Sequence, residues 1–300
     1  MRRRLLAELL LEWELDLEEE PLQSTQGLVA FVRRGNTQFV LKILSTGTLE
    51  SLRASRYFAG HGAVKVFAGS QRGAILLERA IPGFTLQFWR GVRDQNDEAL
   101  RLILTERAIP GFTLYAGRRG WERDDKAMRI LCKVITLLHS RPAPLTGFPL
   151  LKDRMHTFET VSARNPRSLE LIDKARSMFR ALYSSQGDLR LCHGDLHQEN
   201  IVFDKQRGWL AIDPHGVIAE PEFEVAASLR NWTDEPPYTI TPNTVERQIA
   251  IASEELGLDR QRMIGWAFCD SIYLAIQAVT HKSDPRGFLA AAEVLHPLLR

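Results

Sequence analysis

The chain has 300 residues, of which 44% are hydrophobic, 25% charged and 8% aromatic, an ordinary globular composition long enough to bury a sizeable core. Lys and Arg (39) nearly balance Asp and Glu (37), and a formal charge of +2 argues against nucleic acid or an anionic membrane as the main partner. Cys132, Cys192 and Cys269 are odd in number and widely spaced, which excludes a disulfide scaffold and a CxxC zinc site and fits a reducing cytoplasm.

The first twenty residues set a basic head before a short apolar run and then turn acidic. With no small-residue cleavage site, they predict an amphipathic helix rather than a signal peptide. No apolar run in the sequence approaches the length of a membrane span. Residues 27–32 and 38–44 are apolar runs joined by a Gly/Asn turn, the pattern of a β-hairpin. Residues 50–60 predict a helix that stops at Gly60, and residues 63–67 and 74–77 predict a second hairpin. From residue 80 the pattern turns helical, with helices predicted over 124–140, 168–184, 244–256 and 259–282, the last capped by Asp259. A short β-rich island, 200–203 and 209–212, interrupts them. Together these predict an α+β chain with a β-rich lobe at 1–79 and a larger, mostly helical lobe at 80–300.

Residues 78–86 recur unchanged at 106–114, and matches continue beyond, so 78–105 reads as a tandem copy of 106–133. Two units are too few for a solenoid. A tolerated surface insertion and a lid over an acceptor both fit, since added loop length costs little closure entropy. The first copy directly continues the strand at 74–77, which places the extra material roughly between Leu86 and Leu114.

The chemistry concentrates in His193-Gly194-Asp195-Leu196-His197-Gln198-Glu199-Asn200, followed after a short hairpin by Ile212-Asp213-Pro214. An Asp, an Asn five residues later and a second Asp beyond a hairpin match the catalytic and metal-binding loops of kinases. Phosphoryl transfer needs a carboxylate to orient the acceptor hydroxyl and take its proton, and hard oxygen ligands to hold Mg²⁺ on the triphosphate. Asp195 is the candidate base; Asn200 and Asp213 are candidate magnesium ligands. A nucleotide-binding chain without catalysis would carry the same motif. His193 and His197 share the spacing of a helical metal pair, but Gly194 and the flanking residues do not make a helix. His193 reads as a loop-bonding residue, and His197 as the same or as a neighbour of the acceptor.

Lys42 interrupts an apolar strand, where an ammonium is costly unless paired. Kinases hold such a lysine on the α- and β-phosphates with a glutamate from the next helix. Glu50 is the candidate partner, with Ser51 the competing register. Gly27 closes a segment placed to cover phosphates, although no GxGxxG or Walker motif is present. Glu78 to Ala80 would present backbone to adenine before 81–83 turn the chain. For a cationic acceptor, Glu222 and Asp270 are candidate carboxylates. Asp270 has Trp266 and Tyr273 near it at helical spacing, where a core-facing aromatic stripe is the alternative. The acidic stretch at 14–20 reads as a solvated face.

The stretches HGDLHQEN, IDP, VLKI, GHGAVKVF, LLERAIPG and LDRQRMIGWAF together resemble the aminoglycoside/hydroxyurea phosphotransferases, the streptomycin 6-phosphotransferase-like branch of the kinase-like superfamily. The resemblance runs from about residue 11 to 295. It implies a two-lobed protein-kinase-like fold, ATP and Mg²⁺ in the cleft, and γ-phosphate transfer to a hydroxyl of a small-molecule acceptor, with drug inactivation in the cytoplasm. Asp195, Asn200, Asp213 and Lys42 match the family's functional positions; the duplication departs from its pattern. A streptomycin-type aminoglycoside is the expected acceptor; hydroxyurea or another small metabolite is the alternative, as is an inactive nucleotide-binding chain.

Overall fold

The computed structural model describes residues 2–23, 27–44, 48–86, 121–144, 146–161, 166–230 and 240–300. Helix α1 (Arg2–Glu12) opens the chain, and its Leu6 and Leu9 are buried against a sheet. That sheet comprises β1 (Asp16–Leu17), β2 (Leu22–Gln23), β3 (Gly27–Arg34), β4 (Thr37–Leu44), β5 (Val66–Ser70) and β6 (Ala74–Glu78), in the order β1-β3-β4-β6-β5 with β2 also on β3. Period-two alternation does the sorting along β4. Phe39, Leu41 and Ile43 enter the core under α1, while Val40 and Lys42 occupy the opposite face. Gly27 pairs with Leu44 at the end of the β3–β4 ladder. A Cβ there would lie 2.3 Å from the Ile43 carbonyl oxygen, so no larger residue fits.

Helix α2 (Thr48–Phe58) ties this lobe to the next. Its Leu52 packs beneath β6, but Ala54 and Phe58 are fully buried in the main core of the helical lobe. Arg141 reinforces the dock by donating to the Tyr57 carbonyl oxygen at 2.6 Å with its guanidinium over the Tyr57 ring.

The helical lobe contains α3 (Trp121–Leu138), α4 (Met155–Thr160), α5 (Pro166–Ser184), α6 (Ala226–Arg230), α7 (Pro242–Leu256), α8 (Arg260–Thr280) and α9 (Arg286–Leu295). Four of the predicted helices are present with shifted ends, and Asp259 caps α8 by accepting from the Arg262 amide at 2.8 Å. The terminal helix α9 was not anticipated. Helix α8 is the spine of the lobe, with Trp266, Ala267 and Phe268 fully buried. Against the sequence expectation, α8 is long and apolar enough to cross a membrane, at 21 residues and mean hydropathy 1.3; two thirds of that stretch (67%) is buried in this core.

Two small sheets complete the lobe. β8 (Arg190–Cys192) pairs with β11 (Val217–Ala219), and β9 (Ile201–Asp204) with β10 (Gly208–Ala211) forms the expected hairpin. Residues 81–83 turn the chain as expected, with a bend at Ile81 and Gly83 at φ of 79°, and lead it into strand β7 (Pro82–Thr85), which pairs antiparallel with β9. The Ile81–Pro82 peptide bond is cis. The first copy of the duplicated nonapeptide is therefore built into the junction between lobes; the second copy, at 106–114, lies outside the described residues, as does the extra material between them.

Candidate active site

Strand β8 delivers the chain into His193, and Gly194 turns it with φ of 82°, a conformation that favours glycine. The turn is pinned from below by Glu224, whose carboxylate is fully buried. It accepts from the His193 amide at 2.6 Å, the Gly194 amide at 3.2 Å and His139 Nε2 at 3.0 Å. Burial alone would raise the Glu224 pKa. The hydrogen bond and charge of His139, with the loop amides, outweigh it and hold the group below the usual carboxylate range. Glu224 thus holds the loop. Cys192 lies close to His139 and Glu224, a set of ligand types that could hold a metal; here the carboxylate is committed to the loop.

His193 also acts within the loop. Its Nε2 donates to the Ile212 carbonyl oxygen at 2.8 Å, and its Nδ1 accepts from the Asp195 amide at 3.4 Å. One donor and one acceptor define a neutral imidazole, and burial pushes its pKa down, consistent with that state. The His193 carbonyl oxygen accepts from the amides of His215 and Gly216, at 2.9 and 3.1 Å. The backbone on both sides of Asp213 is thereby tied to the backbone that carries Asp195.

Asn200 closes the loop. Its Nδ2 donates to the Asp195 carbonyl oxygen at 2.8 Å and lies 3.1 Å from His197 Nε2. The Ile212 amide donates to the Asn200 carbonyl oxygen at 2.9 Å, which brings the end of the β9–β10 hairpin, and Asp213, beside Asn200. Asp213 has φ of 62°, the left-handed region that Asp tolerates better than most residues. Its carboxylate forms an ion pair with Lys42 Nζ, reaching across from β4.

That pair corrects one expectation. Lys42 was matched with Glu50, yet its ionic partner is Asp213, and Glu50 is exposed in the first turn of α2. A second correction concerns Asp270. It is buried, with its carboxylate between two arginines: Oδ1 pairs with Arg154 and Oδ2 accepts from Arg230 Nε at 2.5 Å. It is not presented to an acceptor. Glu222 is half-buried and accepts from the Asp259 amide at 3.5 Å, beside the α8 cap rather than the Asp195 loop. Glu78 pairs with Arg207 of the β9–β10 hairpin and accepts from the Lys65 amide at 2.9 Å. Ala80 is half-buried just beyond it. Gly27 stands at the start of β3, and residues 24–26 before it lie outside the described set.

Asp195 is the focus of the arrangement. Arg230 Nη2 donates to its Oδ1 at 2.8 Å, and His197 Nε2 lies 3.7 Å from its Oδ2. Burial works against ionisation, but His197 and the Arg230 guanidinium prevail and hold the carboxyl well below the usual range. The residue is an anion at neutral pH. Arg230, His139 and Arg154 carried no signal in the sequence, because an isolated Arg or His has no spacing to read.

The fold, a β-rich lobe and a helical lobe meeting at Lys42, Asp195, Asn200 and Asp213, defines a kinase-like phosphotransferase. Residues 84–281 match the family model described as aminoglycoside/hydroxyurea antibiotic resistance kinase. The chain is 30% identical to a streptomycin 3''-kinase of Klebsiella pneumoniae over 260 residues, covering 85% of each chain. It is 28% identical to a streptomycin 6-kinase of Streptomyces glaucescens over 274 residues, covering 88% of this chain and 78% of the relative. The fold also matches a thermostable mutant of an aminoglycoside phosphotransferase, solved as a ternary complex with ADP and hygromycin B, with a TM-score of 0.60 at 13% identity and 97% of each chain covered. The chain belongs to the aminoglycoside/hydroxyurea antibiotic resistance kinase family, and it is a small-molecule phosphotransferase with a hydroxyl acceptor.

Proposed function

We propose that the protein transfers the γ-phosphate of ATP to a hydroxyl of a streptomycin-type aminoglycoside, with Mg²⁺ as cofactor, and that it does so in the cytoplasm. One observation carries the chemistry: the Asn200 side chain bonds the Asp195 carbonyl oxygen, the Asn200 carbonyl oxygen accepts from Ile212 next to Asp213, and Lys42 reaches Asp213 from the other lobe. The acceptor class rests on the two streptomycin kinases, which the chain matches along most of its length.

The donor set suits magnesium. Asn200 uses its Nδ2 within the loop, leaving the amide oxygen, and Asp213 supplies a carboxylate, both hard oxygen ligands. When bound there, the ion would neutralise charge on the triphosphate oxygens. Lys42 exchanges Asp213 for the α- and β-phosphates as the nucleotide enters, which frees the carboxylate. Asp195 accepts a hydrogen bond from the acceptor hydroxyl, orients its oxygen towards the γ-phosphorus and takes the proton as the new P–O bond forms and the bond from the γ-phosphorus to the departing ADP oxygen breaks. Its low basicity fits a loose transition state, where alignment matters more than early proton removal. Gly27 and the backbone from Glu78 to Ala80 border the nucleotide, and His197 faces the acceptor beside Asp195.

The test is ADP release from purified protein with Mg²⁺-ATP and streptomycin, and mass spectrometry of the product. Streptomycin should stimulate turnover and gain one phosphoryl group, and Asp195→Ala should abolish both while nucleotide binding survives. Full activity in Asp195→Ala would sink the assignment of the base. Nucleotide binding without streptomycin-dependent turnover would overturn the acceptor.

A further inference from the structure

Behind Asp195 stands a line of alternating charges drawn from distant parts of the chain. Arg230, at the end of α6, donates Nη2 to Asp195 and Nε to Asp270 on α8. Asp270 gives its other oxygen to Arg154, which precedes α4. The Arg154 guanidinium in turn lies over two rings, 4.8 Å from the centroid of Tyr273 and 5.1 Å from that of Phe223.

This arrangement costs more than packing alone would require. Arg230 and Asp270 are 6% and 3% exposed, and buried ion pairs gain little over apolar packing because desolvation is large. What such a row does give is direction. A guanidinium is a planar fork, and here Nε and Nη2 are claimed by two different carboxylates. With Asp270 fixed, the Arg230 plane is fixed, and so is the position of Asp195 Oδ1. Oδ2 is left to face His197 and the cleft.

We propose that Asp270 and Arg154 are positioning residues that set the rotamer of Asp195 through Arg230 without touching either substrate. The proposal rests on the kinase reading above and adds two residues to it. It also accounts for an acid placed among aromatic rings: Tyr273 and Phe223 hold the cation Arg154, which holds Asp270.

Asp270→Asn keeps the shape and removes the charge. Arg154→Met and Arg154→Lys test the outer member. Each is measured alone for kcat, acceptor KM and nucleotide affinity by calorimetry, and Asp270→Asn also in the Asp195→Ala background for residual, acceptor-independent ADP release. Misplacing a reacting group by about 1 Å can cost ~100-fold, so Asp270→Asn should lower kcat by about 30-fold or more. Nucleotide affinity should stay within about twofold. In the Asp195→Ala background the same substitution should leave residual ADP release unchanged. Arg154→Lys should recover turnover that Arg154→Met loses.

A raised acceptor KM with unchanged kcat would show that Asp270 meets the acceptor, overturning the proposal. An equal loss in the Asp195→Ala background would overturn it too, as would full activity in Asp270→Asn. The Arg230 guanidinium resonances, assigned with Arg230→Lys, give a readout that needs no turnover. They should be protected from exchange in the parent and released by Asp270→Asn, and unchanged protection would refute the relay. A parent without Asp195-dependent turnover would refute the kinase reading instead, and those resonances would still judge the relay.

Discussion

Replacing Glu224 with glutamine changes one oxygen to an NH₂ and removes one charge, yet it should unsettle the whole catalytic loop. The carboxylate accepts three hydrogen bonds in a fully buried site: the His193 and Gly194 amides and His139 Nε2. Bonds to a charged group contribute about 1.5–3 kcal/mol each, against about 1 for neutral pairs, so losing the charge costs roughly 1 kcal/mol per bond and about 3 in all. The amide NH₂ must also face a donor, which adds to the cost. With an unfolding entropy near 2 cal/mol/K per residue, a destabilisation of this size lowers the melting temperature of a chain this long by about 5 °C. The pH dependence has a definite sign. The folded-state pKa of Glu224 is depressed, so its contribution is complete above the ordinary glutamate range and is lost as pH falls through the lowered value. The gap between parent and Glu224→Gln should therefore be widest at neutral pH and begin to narrow as pH falls below the ordinary glutamate range. Paired thermal melts from pH 7 down to pH 4, with kcat at pH 7, make the measurement. A variant that melts with the parent at neutral pH and keeps its kcat would refute the argument that this carboxylate holds the loop.

Three further outcomes are expected. Lys42→Met should weaken Mg²⁺-ATP binding about tenfold or more, the loss of one charge-assisted contact, and unchanged affinity by calorimetry would remove Lys42 from the nucleotide site. Asp259→Ala removes the side chain that accepts from the Arg262 amide at 2.8 Å and should cost about 1 kcal/mol in denaturant unfolding with kcat unchanged, whereas an unaltered midpoint would deny the cap. The three cysteines are at most 1% exposed, and burial pushes the Cys132 thiol up to about 12 and those of Cys192 and Cys269 well above their usual value. Native protein should resist thiol reagents at pH 8 and react at all three positions once unfolded; rapid labelling of the native state would contradict the packing.

Short-range patterns in the sequence reached the catalytic loop because its spacing is local. Asp195, Asn200 and Asp213 are linked by a turn and one hairpin, and both can be read from Gly, Asn and β-branched residues. Lys42 was legible for a similar reason, since alternation along β4 puts it opposite Phe39, Leu41 and Ile43. Its partner was not legible. Which turn of α2 faces the sheet depends on Ala54 and Phe58 locking into the helical lobe, and that packing leaves Glu50 outward. Asp270 failed differently. Trp266 and Tyr273 suggested an aromatic cation site, but the cations that arrived, Arg230 and Arg154, lie 40 and 116 positions away in sequence. Strand β7 was missed because Pro82 and Gly83 read only as a turn; the chain does turn there and then pairs with β9.

The hairpin that carries Asp213 back to the loop belongs to both lobes, and this explains where the duplication could be tolerated. On one edge β9 pairs with β7, and the Lys205 amide donates to the Ile81 carbonyl oxygen at 2.9 Å. At its other end, Ala211 donates to the Gly62 carbonyl oxygen at 2.8 Å and accepts from the Val64 amide at 3.1 Å. Arg207 adds the ion pair with Glu78. The contacts to β7, Ile81 and Glu78 use the first copy of the repeated segment, from Glu78 to Thr85. Helix α3 then supplies Met128 and Leu131 to the main core from the second copy. The added length falls between two anchored ends, where the cost of closure grows only slowly with the number of residues. The geometry that places Asp213 beside Asn200, and Lys42 opposite both, is set by residues the duplication left in place.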